Sequence, residues 1–96
     1  MNYTVRLDMA GKRFTTIVDG KECYLQFKQM APQVLDFEYI FVPEEVRSRG
    51  IGSNLVYNAL IFAQKEHLEI IAGCAFVQDY MTKHPEFRCV SWKEAV

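Results

Sequence analysis

Two arginines and two glycines in Arg47-Ser48-Arg49-Gly50-Ile51-Gly52 have the types and spacing to hold an anion. An apolar stretch, Val34 to Val42, runs into them through Pro43, and a strongly periodic segment runs out through Ser53. A strand that feeds a glycine turn at a helix start presents backbone N–H groups with no partner in the helix, and the aligned peptide dipoles favour negative charge there. Gly50 and Gly52 let a ligand come close to the backbone, because no Cβ intervenes. Arg47 and Arg49 add charge that does not titrate. The same pattern suits a surface turn whose glycines only permit the bend, and the loop by itself does not separate the two.

A second group of reactive side chains lies elsewhere. Cys74 stands between the apolar run 68–72 and a second periodic segment, 75–83. A thiol at a helix start can act as a nucleophile; a cysteine there can equally fill space as a small apolar residue. Asp36 and Glu38 share one face of the stretch 34–42. Either could take a proton from an amine, directly or through water, and either could simply be solvated. His67 falls at the end of the first helix, where positive charge is favoured, and His84 follows the second. Neither is placed as a base for Cys74. Cys23 is expected in the core and Cys89 structural or free.

The elements that position these groups follow from periodicity. Residues 13–28 read as a β-hairpin: Phe14, Thr16 and Val18, then Cys23, Leu25 and Phe27, alternate with wetter neighbours about an Asp19-Gly20 turn. Residues 1–10 fit a short edge strand or a loose terminus. Met30 to Gln33 reads as a connection, with Pro32 ending any pairing. Strict alternation over 34–42 puts Leu35, Phe37, Tyr39 and Phe41 on one face. The main helix is expected over 50–66, with Ile51, Leu55, Val56, Ala59, Leu60 and Ala63 as its apolar stripe. Residues 68–72 form a strand parallel to 34–42, completing a βαβ unit. A second helix spans 75–83, with an Asp79–Lys83 pair at i, i+4, and Pro85 ends it. Residues 86–96 read as a short tail in which Trp92 covers the core edge. The order implies an α+β fold: an antiparallel sheet with one final parallel strand.

Length and composition set bounds. Ninety-six residues, half of them hydrophobic, fit one domain with a modest core. A net charge of −1 gives no support for nucleic acid or a membrane surface as a partner. Three cysteines without metal-like spacing argue against a disulfide framework or a zinc site, and a reducing, cytoplasmic setting is expected. No apolar run approaches the roughly 20 residues needed to span a bilayer. The start of the chain lacks a signal-peptide pattern.

Arg47-x-x-Gly50-x-Gly52, entered through Val42-Pro43, resembles the acetyl-CoA pyrophosphate loop of the GCN5-related N-acetyltransferases. Ile70 to Val77, with Cys74 closing the strand and Phe76 two residues later, runs into Tyr80 to Phe87 with its His84-Pro85-Glu86-Phe87 end. Together the two stretches resemble the small single-domain, YjdJ-type branch of that superfamily, over roughly residues 13–87. The resemblance implies a minimal acyl-CoA N-acyltransferase fold with two main helices and the last strand splayed from its neighbour. It implies acetyl-CoA as the cofactor, with pyrophosphate on the N–H groups of residues 48–53. The pantetheine arm would lie near Phe41 and Val42, and Phe76 beside it. The acceptor is then an unidentified amine on a small molecule or protein. Many relatives carry His-Thr where this chain has Tyr39-Ile40, so no role of that histidine carries over. Others have Pro where Ala72 stands, or Gly where Ser48 stands.

For the chemistry, Cys74 is where the acetyl group would arrive, either to form an acetyl-cysteine or to line a site of direct transfer. Tyr80 is set near a helix tyrosine that protonates the leaving thiolate in larger relatives, and Glu38 is the candidate base. Two other readings stay open: an acyl-CoA-binding module without turnover, and an unrelated phosphate-ligand domain. The absence of a Gly-x-x-x-x-Gly-Lys-Ser/Thr run argues against nucleotide hydrolysis.

Overall fold

The structure is a computed structural model and describes residues 3–94. Six strands form one sheet in the order β1-β2-β3-β4-β5-β6. They are β1 (Arg6–Asp8), β2 (Arg13–Val18), β3 (Lys21–Ala31), β4 (Val34–Phe41), β5 (Glu69–Ala72) and β6 (Trp92–Glu94). The first four run antiparallel; β5 lies parallel to β4, and β6 parallel to β5. Helix α1 (Ile51–Lys65) follows β4, and α2 (Ala75–Lys83) follows β5.

Local chemistry accounts for most of these elements. Asp19 and Gly20 take φ of 52° and 76°, the left-handed pair that a two-residue hairpin turn requires. Phe14, Thr16 and Val18 on β2 face the core with Cys23, Leu25 and Phe27 on β3. The six expected apolar residues of α1 are all buried, and the helix packs across β2 and β3. The Phe14 ring lies 5.5 Å from Phe27, 6.2 Å from Phe37 and 5.7 Å from Phe62, so one aromatic group joins three strands to α1. Asp79 pairs with Lys83 at 3.1 Å along α2.

The beginning of the described chain is a short edge strand rather than a loose terminus. Thr16 donates its hydroxyl to the Thr4 carbonyl at 2.7 Å, and the Asn54 amide donates to the Tyr3 carbonyl at 2.8 Å. At the other end, the expected tail contains β6. The sheet therefore gains two parallel strands after the antiparallel four, not one. Positions 1–2 and 95–96 of the two terminal stretches lie outside the described residues. Met30 and Ala31 belong to β3, which leaves Pro32-Gln33 as the turn of a second hairpin.

The strict alternation expected for residues 34–42 does not hold. Phe27 pairs with Phe37, but Gln26 pairs with Tyr39, so Glu38 is an extra residue bulged out of β4. Beyond it the facing inverts. Ile40 now opposes buried Leu25. Tyr39 and Phe41 turn to the opposite face, with ring centroids 6.2 Å and 5.5 Å from Tyr24. A bulge bends its strand and sharpens its twist, and here it coincides with a parting. The β4–β5 pairing ends at Phe37 with Ala72, one residue before Glu38.

Deleting Glu38 should make the β3–β4 ladder regular from Tyr24 to Gln29, with Tyr39 and Phe41 keeping their face. We expect a cooperative thermal transition and unchanged far-ultraviolet dichroism, at a cost within the ordinary range of about 0.5–3 kcal/mol. An unfolded product would show that the fold itself needs the bulge.

Candidate functional site

Where β4 outruns β5, its far end has no strand on that side. Glu38 to Phe41 thus present an open backbone edge above the end of β5. The polypeptide then turns through Glu44–Val46, a single 3-10 turn anchored by buried Val46. It enters α1 at Gly50, whose φ of 74° makes it a left-handed helix cap. No side chain caps α1 and no acidic residue stands in its first turn. The first helical bond runs from the Asn54 N–H to the Gly50 carbonyl at 3.0 Å. The N–H groups of Ile51, Gly52 and Ser53 precede it and point out of the helix end.

A groove of 580 Å³ joins the open strand edge to the helix end. Its lining runs from Tyr39, Ile40, Phe41 and Val42 on the strand through Arg47, Ser48, Gly50, Ile51, Gly52 and Ser53 on the loop and helix, to Cys74 and Phe76 at the start of α2. Every residue expected to touch the cofactor therefore lies along it, except Arg49. Tyr39 and Ile40 are additions. Their facing depends on the bulge at Glu38, which alternation along the strand does not foresee.

The individual side chains have distinct reasons to be where they are. Arg47 donates Nε–H to the Val42 carbonyl at 2.8 Å, which ties the loop to the strand end and leaves the terminal guanidinium nitrogens toward the groove. Ser48 has φ of 67°, a conformation that a side chain disfavours; a glycine there would adopt it without strain. Gly50 needs its glycine for conformation, since a Cβ there would meet nothing within 4 Å. At Gly52 the limit is space: a Cβ would stand 3.1 Å from the Phe76 ring, which would have to shift by a few tenths of an ångström to admit it. That ring, 43% exposed, lies across the first turn of α1. Cys74 is the residue before α2 and is half-buried. Gln78 fixes the approach of α2 by donating its amide to the Ala72 carbonyl, the last of β5, at 3.0 Å.

Three residues expected at the site stand apart from the groove lining. Arg49 is turned to the β2–β3 hairpin, where its Nη1 lies 2.8 Å from Asp19 Oδ2. Glu38, at the bulge, is exposed and borders a separate hollow shared with Lys12, Gln26 and Lys28. Tyr80 is buried, stacked on the His84 ring at 3.8 Å with 13° between the planes. Burial, with Glu86 and Tyr57 adding to it, raises its hydroxyl above the ordinary phenol range. Asp36, the other carboxylate of β4, turns Oδ1 into a buried position against Gly73, where it has no hydrogen-bond partner among the described residues.

A mixed sheet whose β4–β5 parallel pair parts beside a glycine turn and an uncapped helix is an acyltransferase architecture of the GCN5-related type. The sequence profile of the GCN5-related N-acetyl-transferase family matches residues 13–90, and the chain belongs to that family. Among curated relatives, Protein NATD1 of Gallus gallus is 28% identical over 83 residues, covering 84% of this chain and 76% of the relative. Protein NATD1 of Homo sapiens is likewise 28% identical over 83 residues, covering 84% and 74%. The fold matches the NMR solution structure of a GCN5-like candidate N-acetyltransferase from Staphylococcus aureus. That match has a TM-score of 0.73 and 18% identity, covering 99% of this chain and 92% of the other. No helix among the described residues is long and apolar enough to cross a membrane.

Tyr80 yields a test of its placement. An unfolded tyrosine ionises near pH ~10, whereas folded Tyr80 holds its proton higher. Above that pH the unfolded state binds fewer protons than the folded one, so Tyr80's contribution to stability falls as pH rises. Tyr80→Phe should flatten the alkaline limb of stability measured by urea titration between about pH 9 and about pH 11. An unchanged slope would place the hydroxyl in water.

Proposed function

We propose that the chain is a single-domain N-acetyltransferase that binds acetyl-CoA along this groove and passes the acetyl group to an amine. One observation carries the reading: the open edge of β4 and the uncapped start of α1 meet in one continuous groove. An elongated ligand with amides along its length and a diphosphate at one end matches those two features in order. Amide groups can pair with the free strand edge. The diphosphate can sit on the N–H groups of residues 48–53 with Arg47 beside it. The thioester would then come within the part of the groove that Cys74 lines, at the end of β5.

Transfer requires that the amine nitrogen bond to the acetyl carbon as the carbon–sulfur bond breaks. The amine gives up a proton and the departing thiolate gains one. Backbone N–H groups at the strand edge can polarise the thioester carbonyl as charge gathers on its oxygen. Cys74 offers a second route. Its sulfur bonds to the acetyl carbon as the CoA carbon–sulfur bond breaks, and CoA leaves as the thiol with the proton Cys74 gives up. The amine then displaces the cysteine sulfur, which regains a proton from it. The buried setting of Tyr80 and the separate hollow beside Glu38 favour neither as the proton carrier for the groove. A proton leaving the amine would go to water in the direct route. The same scarcity of acid–base groups in the lining supports a second reading, an acyl-CoA-binding module that holds its ligand without turnover.

Gly50→Glu should abolish acetyl-CoA binding in calorimetric titration while the domain still melts cooperatively. The strained conformation costs about 1–2 kcal/mol, and a carboxylate would stand where the phosphates sit. Retained affinity would refute the loop assignment. Titrations with CoA, ATP and pyrophosphate alongside should show selective uptake of the two CoA species. Incubation with acetyl-CoA followed by intact mass tests the covalent route. A protein heavier by one acetyl group, lost in Cys74→Ala, would support acetyl-cysteine. Full turnover by Cys74→Ala in a screen of amines would exclude it, and binding without turnover of any amine would favour the binding module.

A further inference from the structure

Two ion pairs join the β2–β3 turn to the loop between β4 and α1. Arg49 Nη1 meets Asp19 Oδ2 at 2.8 Å, and Lys21 Nζ meets Glu45 Oε2 at 3.7 Å. The turn offers a negative and then a positive charge; the loop answers with Glu45 and Arg49 in complementary places. Both members of each pair are partly exposed, so water and salt screen them. Glu45 nonetheless ionises below the ordinary carboxylate range, through its own backbone N–H and then through Lys21.

The loop needs such an external hold. Ser48 and Gly50 both take left-handed backbone angles, of 67° and 74°. A non-glycine residue keeps that conformation only where its surroundings over-determine it. Between buried Val46 and the first turn of α1, the loop is held by the Arg47 N–H on the Glu44 carbonyl, by the Arg47 side-chain bond to Val42 and by the Arg49 bond to Asp19. Asp19 is itself fixed, since it is the first residue of a tight turn with φ of 52°. It therefore presents its carboxylate from a rigid base.

We propose that Asp19 is a positioning residue for the anion loop: it holds Arg49 as a strut, and the strut keeps the amides of residues 48–53 turned to the groove. Arg49 then acts through the loop and does not contact the phosphates. The inference rests on the acetyl-CoA reading of the groove for the identity of the ligand, but the strut itself is a property of the free protein.

The test is a charge-exchange cycle read by calorimetric titration with acetyl-CoA. Asp19→Asn and Arg49→Gln should each weaken binding about two- to fivefold, the range set by exposed pairs, with the thermal midpoint held. Asp19→Arg combined with Arg49→Asp should bind more tightly than either reversal alone. Tighter binding by Asp19→Asn, or a double reversal no better than its worse single, would overturn the proposal. The first result would make Arg49 a phosphate ligand for which Asp19 merely competes; the second would show that the pair does not set the loop. Backbone 15N order parameters over residues 47–53 in the free protein give a readout independent of the ligand. They should be lower in Asp19→Asn than in wild type, with no change in α2. If wild type takes up no CoA species, the ligand reading fails, and the order parameters alone decide the strut; equal values in the two proteins would refute it.

Discussion

The structure depends on a single break in pairing. Parallel strands β4 and β5 are held together through Phe37 and Ala72, and from Glu38 onward β4 pairs with β3 alone, its other edge free. Unpaired backbone in the middle of a sheet is costly unless something takes up its hydrogen bonds. Here the cost falls at the head of the groove, where the lining includes the next four residues of the chain. The pairing ends because β5 stops at Ala72, and the bulge at Glu38 falls on the next residue of β4. The placement of α1 over the sheet, fixed by the Phe14 aromatic group, then sets the uncapped helix start beside the same opening.

This arrangement explains how a short chain can support a sizeable site. The core is devoted to keeping one sheet and two helices in register, and α1 supplies six of its buried residues. The site is made mostly of backbone. Its main components are a strand edge and a helix end, both of which exist wherever such elements stop. Few side chains have to be held for it, and those that are, Arg47 and Gln78, fasten carbonyls at the ends of the two strands. The scaffold thus has to control where elements end more tightly than which residues line them.

Much of this was legible in the sequence, for reasons that can be named. Asp19-Gly20 between alternating runs specifies a hairpin, and a stripe from Ile51 to Ala63 specifies a helix, because both signals are local. The glycine turn was legible for the same reason. The bulge was not. Nothing in Phe37-Glu38-Tyr39-Ile40 distinguishes a regular strand from one carrying an extra residue; the decision is made across the sheet by Gln26 and Phe27. Strand β6 was hidden because three residues at an edge become a strand only by pairing with β5. Arg47 and Arg49 look alike on paper. They differ because a carboxylate 30 residues earlier reaches one of them.

The two glycines of the loop have separate histories of constraint. Gly50 answers to its own backbone, whereas Gly52 answers to the ring of Phe76, which rests where its side chain would be. Positions 52 and 76 are therefore expected to vary as a unit across related chains, the first free to grow when the second shrinks, while position 50 varies on its own. A glycine count taken from this loop mixes one record of chain geometry with one of helix-to-helix packing. In tracing descent among small acyltransferases, the informative character is the pair, not the motif.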